Sequence, residues 1–513
     1  MKKTLSLLLV ALMAMSVVFA GGESENKGDD GAVTLRLQLE KQAVEPESEG
    51  SIVKAIYDRL GIHVTAWELD PAKWDEQINV RFAGGDLPDV FVTDTTGLLP
   101  DYVNGGIVGE VSQDYIREKA PHYAAAIDMY APEAWNTCVY KGKNYGIAHP
   151  MATYPFAVYW NKNWLDAVGR EAPTTLEEME DVLLAFVNED PDGNGKKDTA
   201  GMAERGFNAV FGAYGLRIVT GAKTGFKVEE MQMDEDGLPF FPYVRPEAKE
   251  ALALLHRWYT MGIIDKEFIT GEHTGGYNWL SQSFMNGKIG MTTAQVSHYF
   301  NTSMDFYEPG NMGQCMREFK KLDPNARVII GPAPIGPEGK SGTEEWAPIG
   351  RITFFTSEIT KDQRKLDAYL SLLEELYADP SFALLLEYGE EGIDYESTPY
   401  GLSRLTDVLT LRKKGGIQFG NGNTVPFAME NRKAQHDFAT SVTGNGYPRI
   451  SVPAVPEYSS VIATLDTLAE QAYFDIITGA KPVDYFDTFV QQWNAAGGKA
   501  AEDAVREAVL ALR

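Results

Sequence analysis

Apolar and polar residues alternate at Val33, Leu35, Leu37 and Leu39, a period of two that predicts a strand. The spacing lengthens to a helical period at Ile52, Ile56 and Leu60, and Gly61–Val64 reads as a second strand. Ile78–Phe82 reads as a helix and Asp89–Val92 as a third strand. Strands that alternate with helices predict a mostly parallel sheet covered on both faces. A second unit begins near His149, with a strand over Phe156–Trp160. Leu176, Met179, Leu183, Phe186 and Val187 then share one helical face, and Thr174 with Glu177 has the spacing of a capping box. Ala251, Leu252, Leu255 and Trp258 mark another helix, stopped by Gly262, and Lys288–Met291 reads as a short strand. The Pro- and Gly-rich stretch Val328–Gly342 ends this unit and begins a connection. Ile352–Phe355 is again strand-like, and Leu366, Tyr369, Leu370 and Leu373 mark the helix after it. Near the end, Tyr485, Phe489 and Trp493 lie on one helical face, stopped by Gly497 and Gly498.

At 513 residues a single core is not expected, and two or three lobes are. The charge narrows the partners. With 46 basic against 73 acidic side chains, the net charge of −27 disfavours nucleic acid and anionic lipid, both of which need clustered Lys and Arg. Residues 1–20 have the flanks of a secretory signal peptide: Lys2 and Lys3, an apolar run from Leu5 to Phe19, and Val18-Phe19-Ala20 before Gly21. Residues 21–31 read as a flexible tether. The cleavage region holds no Cys to accept a lipid, so a free, periplasmic product is expected. Cys138 and Cys315 are the two cysteines; they exclude a disulfide scaffold and leave one bridge open.

The order of motifs resembles family 1 extracellular solute-binding proteins of ABC importers, and within them the alginate-oligosaccharide-binding branch. The resemblance rests on Gly84–Val90 entering the third strand, and on Tyr145–Ile147 followed by Tyr159–Leu165 at a first crossover. Phe284–Met291, Tyr388–Gly392 and Ile476–Gly479 extend it along the chain. It implies an α/β fold of the two-lobed, type II-like periplasmic-binding-protein kind, with a hinge between discontinuous lobes. The first lobe is expected over 32–150 plus 350–415 and the second over 151–349 plus 416–513. Closure of such a hinge buries the ligand and creates a surface that a transporter reads.

Asp190-Pro-Asp192-Gly-Asn194-Gly195-Lys196-Lys197-Asp198 carries a calcium-loop signature. Asp190, Asp192, Asn194 and Asp198 offer side-chain oxygens, the Lys196 carbonyl adds one, and Gly195 allows the sharp turn. The bidentate Glu that closes an EF-hand loop is replaced by Gly201, so an acid such as Glu204 would have to complete the shell. The alginate-binding branch carries such a loop too, often with an acid where Thr199 stands here. The alternative is a solvated Asx/Gly turn. Any Ca²⁺ here is expected to be structural.

A neutral sugar is held by aromatic faces together with acids, amides and Arg. Trp279, in a polar stretch, and Trp346, before a hinge-like strand, are candidates for stacking, with core packing as the alternative. Asp94 follows the third strand, at the edge where α/β ligands sit, or else caps a helix. His149 and Tyr154 flank the first crossover, although a lone His is more often a satisfied surface or core group than a ligand contact. Arg351 opens the second, as a ligand clamp or an interlobe salt bridge. Gln295 lies beyond a strand end of the second lobe, and Lys41 just after the first strand. Tyr458 matches where the family brings a late segment to the cleft.

Catalytic motifs are missing: no P-loop, dinucleotide fingerprint, His-Glu-x-x-His or G-x-S-x-G elbow is present. Neighbouring acids such as Glu177-Glu178 do not face each other on a helix. The expectation is a non-enzymatic, monomeric receptor that delivers a carbohydrate, an oligosaccharide, to ABC permease subunits. The alternatives are a secreted glycan-degrading enzyme with two separated carboxylates, or a ligand-sensing partner of a membrane receptor.

Overall fold

The computed structural model describes residues 31–39, 44–69, 74–93, 96–219, 231–271, 281–346, 348–417 and 424–511. Residues 1–30, where a signal peptide and most of a tether are expected, lie outside them.

The alternating run at the start forms β1 (Val33–Gln38), which pairs in parallel with β2 (Ile62–Ala66) and β3 (Val90–Thr93). The helix Ser51–Leu60 connects β1 to β2 and ends where Gly61 takes a left-handed conformation that a side chain resists. β4 (Gly146–Pro150) leads out of this sheet, and β5 (Ala157–Asn161) opens a second one. There β5 is flanked by β7 (Ile289–Ala294) and β8 (Val328–Gly331), both antiparallel to it, while β6 (Ala200–Met202) runs parallel to β7. The chain then returns through β9 (Ile349–Phe355), which lies between β3 and β4 and antiparallel to both. The orders are β2-β1-β3-β9-β4 and β8-β5-β7-β6.

Both sheets are therefore mixed, where helix–strand alternation alone predicts mostly parallel ones. Strands that run toward the connection between the sheets share one direction. A strand that arrives from the other sheet, β5 or β9, enters from that end and must run the other way.

Two apolar cores follow the two sheets. One gathers residues from Leu35 to Ala148 and from Ile349 to Ile417, together with Phe427 and Ala454. The other gathers Ala157 to Ala333 and Ala439 to Val505. All five residues of β5 are buried, which explains its unbroken apolar run. The helix Leu176–Asn188 presses Met179, Leu183 and Phe186 into the second core. Its cap lies one residue later than the sequence spacing suggests: Thr175 Oγ1 accepts from Glu178 N at 3.1 Å, and Glu178 Oε2 accepts from Thr174 N and Oγ1, each at 2.7 Å. Thr174 with Glu177 is thus not the capping pair. A shift of one keeps Leu176 on the buried face. Cys138 and Cys315 are buried thiols, one in each core, and are not bridged.

Stretches of chain that join the cores are laced together by backbone hydrogen bonds. Met151 N donates to Pro348 O at 2.7 Å, Phe156 N to Glu344 O at 2.9 Å and Val425 N to Pro150 O at 3.0 Å. The short strand Thr343–Glu345 also pairs in parallel with Gly446–Pro448. No helix among the described residues is long and apolar enough to cross a membrane.

Candidate functional site between the lobes

The direction of the strands decides where polar side chains can converge. In both sheets, the carboxyl ends of the outgoing strands point to the hinge, the edge where α/β sheets leave room for ligands. A polar cavity of about 30 Å³ lies there, lined by Thr96, Thr137, Gly350 and Ile352 from the first lobe and by Arg449, Ser451 and Tyr458 from the late segment. Arg351 holds the first-lobe wall in place, since its Nη1 donates to Leu39 O at 3.1 Å, at the end of β1.

Buried charge lies in the second lobe and on the adjoining hinge strand, linked to the cavity residue Arg449 by its effect on Arg217. Arg205 follows β6 and donates from Nε to Thr293 O at 3.0 Å, while Thr293 Oγ1 donates to Arg205 O at 2.7 Å. Arg217 Nε donates to Glu345 O at 3.4 Å, and its guanidinium stands 4.0 Å from the Glu344 carboxylate. That separation is an ion pair without a hydrogen bond. Burial pulls Arg217 down to about 10, opposed by Glu344 and reinforced by Arg449. Burial pushes the Glu344 carboxyl up, against the pull of Arg217 and Arg205. Glu345 Oε1 accepts from Thr153 Oγ1 at 2.8 Å. Glu204, also buried, helps raise the Glu470 carboxyl, after the larger effect of burial. Guanidinium forks and carboxylates are both able to form paired hydrogen bonds to adjacent hydroxyls of an uncharged ligand.

The sequence candidates divide. Tyr458 lines the interlobe cavity and stacks on Phe241, with ring centroids 6.0 Å apart. Arg351 lies in β9 between the lining residues Gly350 and Ile352. Trp346, half-buried, follows the hinge strand Thr343–Glu345. Tyr154, also half-buried, sets its hydroxyl 3.4 Å from Ser297 Oγ and its ring 6.0 Å from His436. Gln295 follows β7, and its carbonyl accepts from the Tyr159 hydroxyl at 3.3 Å. Lys41, Asp94 and Trp279 lie outside the described residues.

His149 lies deeper than the other candidates. It is wholly buried in the first core, with Nδ1 3.2 Å from the Tyr377 hydroxyl and Nε2 3.1 Å from Thr353 Oγ1. The backbone crosses the hinge there, and every residue of β4, His149 included, is buried. Conversely, sequence reading passed over Arg205, Arg217, Glu344 and Thr137, and considered Glu204 only for the calcium shell. A usable signal existed for Arg205, which lies just beyond the apolar run Ala200-Gly201-Met202-Ala203, and none for Glu344 or Thr137, which follow polar stretches.

In the calcium-type loop, Asp190, Asp192 and Asp198 converge on Asn194. Asn194 N donates to Asp190 Oδ1 and to Asp192 Oδ1, both at 3.2 Å, and Asn194 Nδ2 donates to Asp192 Oδ2 at 2.7 Å and Asp198 Oδ1 at 3.1 Å. Asp190 takes a left-handed conformation (φ 49°), as do Gly193 and Gly195. Burial, then the hydrogen bond and charge of Asp190 and the charge of Asp198, raise the Asp192 carboxyl. The oxygen set has the hard chemistry calcium favours. Yet the described residues hold no group of three acidic, His or Cys ligands at metal-holding geometry. Glu204 faces Glu470 and is not among the groups that act on Asp192.

A separate cavity of about 570 Å³ lies on the second lobe, along the C-terminal helix. Its wall is closed by the ion pairs Arg245–Glu502 at 2.9 Å and Arg506–Asp234 at 3.1 Å.

No family model matches the chain. Among curated proteins, it is 24% identical over 97% of its length to "Lipoprotein LipO" of Bacillus subtilis, covering 96% of that protein. It is also 24% identical, over 96% of both chains, to the B. subtilis polygalacturonan/rhamnogalacturonan-binding protein YtcQ. A fructooligosaccharide ABC transporter substrate-binding protein, FusA of Streptococcus pneumoniae, is 27% identical over 46% of this chain and 45% of its own. Among solved structures, the alginate-binding protein AlgQ2 without calcium ion superposes with a TM-score of 0.65 at 17% identity, over 93% of this chain and 97% of that one. FusA in complex with kestose superposes with a TM-score of 0.64 at 17% identity, over 94% of this chain and 100% of that one. The protein thus has the two-lobed α/β fold of extracellular solute-binding proteins of ABC importers, and along nearly its whole length it resembles them, the alginate-binding branch included.

Proposed function

We propose that the protein is the substrate-binding component of an ABC importer, which holds a carbohydrate, an oligosaccharide, between its lobes and hands it to a membrane permease. One observation carries this reading: the polar cavity at the hinge, where Thr137, Arg449 and Tyr458 meet across two separately built cores. The names of YtcQ and FusA, which specify carbohydrates, support the ligand class. The same names are those of binding proteins, and we read this chain as non-catalytic. Its lobes are 32–150 plus 350–415 and 151–349 plus 416–513, a division supported by the two cores, although Phe427 and Ala454 sit with the first. It acts as a monomer in the periplasm after loss of residues 1–20, with the loop Asp190–Asp198 holding a structural Ca²⁺. Calcium is supported by the convergence of three carboxylates on one turn.

The test is calorimetric titration with kestose, trigalacturonate and an alginate trisaccharide, with the sugars recovered and analysed afterwards. One-to-one binding with the glycan returned intact is the expected result. A cleaved glycan, or no binding to any of the three, refutes the reading.

A further inference from the structure

Thr137 follows the turn Pro132–Asn136, and its backbone N–H is satisfied by Ala134 O at 3.1 Å. Its side chain is a different matter. The residue is only 3% exposed, and no described residue hydrogen-bonds Oγ1. Thr137 is one of the residues that line the interlobe cavity, with Thr96 on its own side and Arg449, Ser451 and Tyr458 on the other. A buried hydroxyl without a partner destabilises a fold, and a methyl in its place does not. The cavity's volume, about 30 Å³, is that of one water or one hydroxyl group and far below that of a sugar ring.

Resting on the carbohydrate reading above, we propose that Thr137 is a ligand-contact residue: its hydroxyl bonds a single hydroxyl of the sugar when the lobes close. A sugar hydroxyl both donates and accepts, and so does threonine, so the pair is satisfied in either sense. A ring enters while the lobes stand apart, and closure leaves only its terminal hydroxyl in the cavity. The site discriminates by the penalty for leaving Thr137 unmatched, so an analogue lacking that hydroxyl is rejected.

The experiment compares wild type, Thr137→Val and Thr137→Ser by titration with kestose, trigalacturonate and the alginate trisaccharide, and by melting without ligand. The expected result is that Thr137→Val binds about tenfold more weakly to whichever probe the wild type binds. Its ligand-free melting temperature stays level or rises, because the valine methyl needs no partner. Thr137→Ser retains affinity to within about threefold, since it keeps the hydroxyl. A purely structural threonine would instead lower stability and affinity together. Wild-type affinity in Thr137→Val overturns the inference and leaves the carbohydrate reading standing. A lowered melting temperature in Thr137→Val shows that the hydroxyl has a partner in the free protein, and also overturns it. If the wild type binds none of the probes, the carbohydrate reading falls and the inference falls with it.

Discussion

Lowering the pH from about 7.5 to about 5 should destabilise the first lobe through one side chain, His149, by about 2 kcal/mol. Its ring is wholly buried between the Tyr377 and Thr353 hydroxyls. Burial, with a smaller push from Arg351, lowers its pKa from 6.5 to about 4. The unfolded chain takes up this proton near pH 6.5, and the folded one only near 4. Between those values the unfolded state binds more protons, so stability falls as the pH falls. The loss is about 2 kcal/mol at pH 5 and levels off near 3 kcal/mol below pH 4. His149→Gln keeps polar atoms between the two hydroxyls and cannot titrate. Urea unfolding followed by tryptophan fluorescence, at both pH values, should show about 2 kcal/mol less pH loss in the variant. His298 in the second lobe is likewise lowered to about 4 by burial, so that lobe's own acid sensitivity should be unchanged. Equal pH losses in wild type and variant would refute the neutral buried histidine. A variant with normal stability but weakened glycan binding would return His149 to the ligand site.

Gly290 lies in β7, where an added Cβ would stand 2.3 Å from the Phe186 ring and 2.9 Å from Trp164. Gly290→Ala should therefore cost about 1–3 kcal/mol in urea unfolding, and an unchanged midpoint would contradict this packing. Calcium added to chelator-treated protein should raise the melting temperature, and Asp192→Asn should abolish the rise, because the crowded acids of the loop no longer gain from a cation. A wild type indifferent to both chelator and calcium would make the loop a plain turn.

Much of the fold is legible in the sequence, and the reasons differ by element. The alternation in Val33–Leu39 and the apolar run Phe156–Trp160 mark β1 and β5 because burial on one or two faces leaves a direct trace in residue type. Sheet direction leaves no such trace: the reversal of β5 and β9 follows from the path of the chain between lobes. The site is harder to read for the same reason. Arg205, Arg217 and Glu344 are far apart in sequence, and each looks like an ordinary surface charge until the strand ends bring them together at the hinge. His149 shows the converse difficulty, since a polar residue at a suggestive boundary has hydrogen-bond partners inside the core, the commoner fate of a lone histidine. Tyr458 was placed by resemblance, and local pattern would not have found it.

The interleaving of the two cores also constrains how the molecule comes into being. The first core cannot close until residues 349–417 have been made, and the second needs the stretch from 439 to 505. Contacts between such distant parts of a chain form slowly, and domains that lack a late segment keep apolar surface open. A ribosome will have nearly finished before either half can settle. Until then the polypeptide stays loose, with the apolar faces of both halves still uncovered.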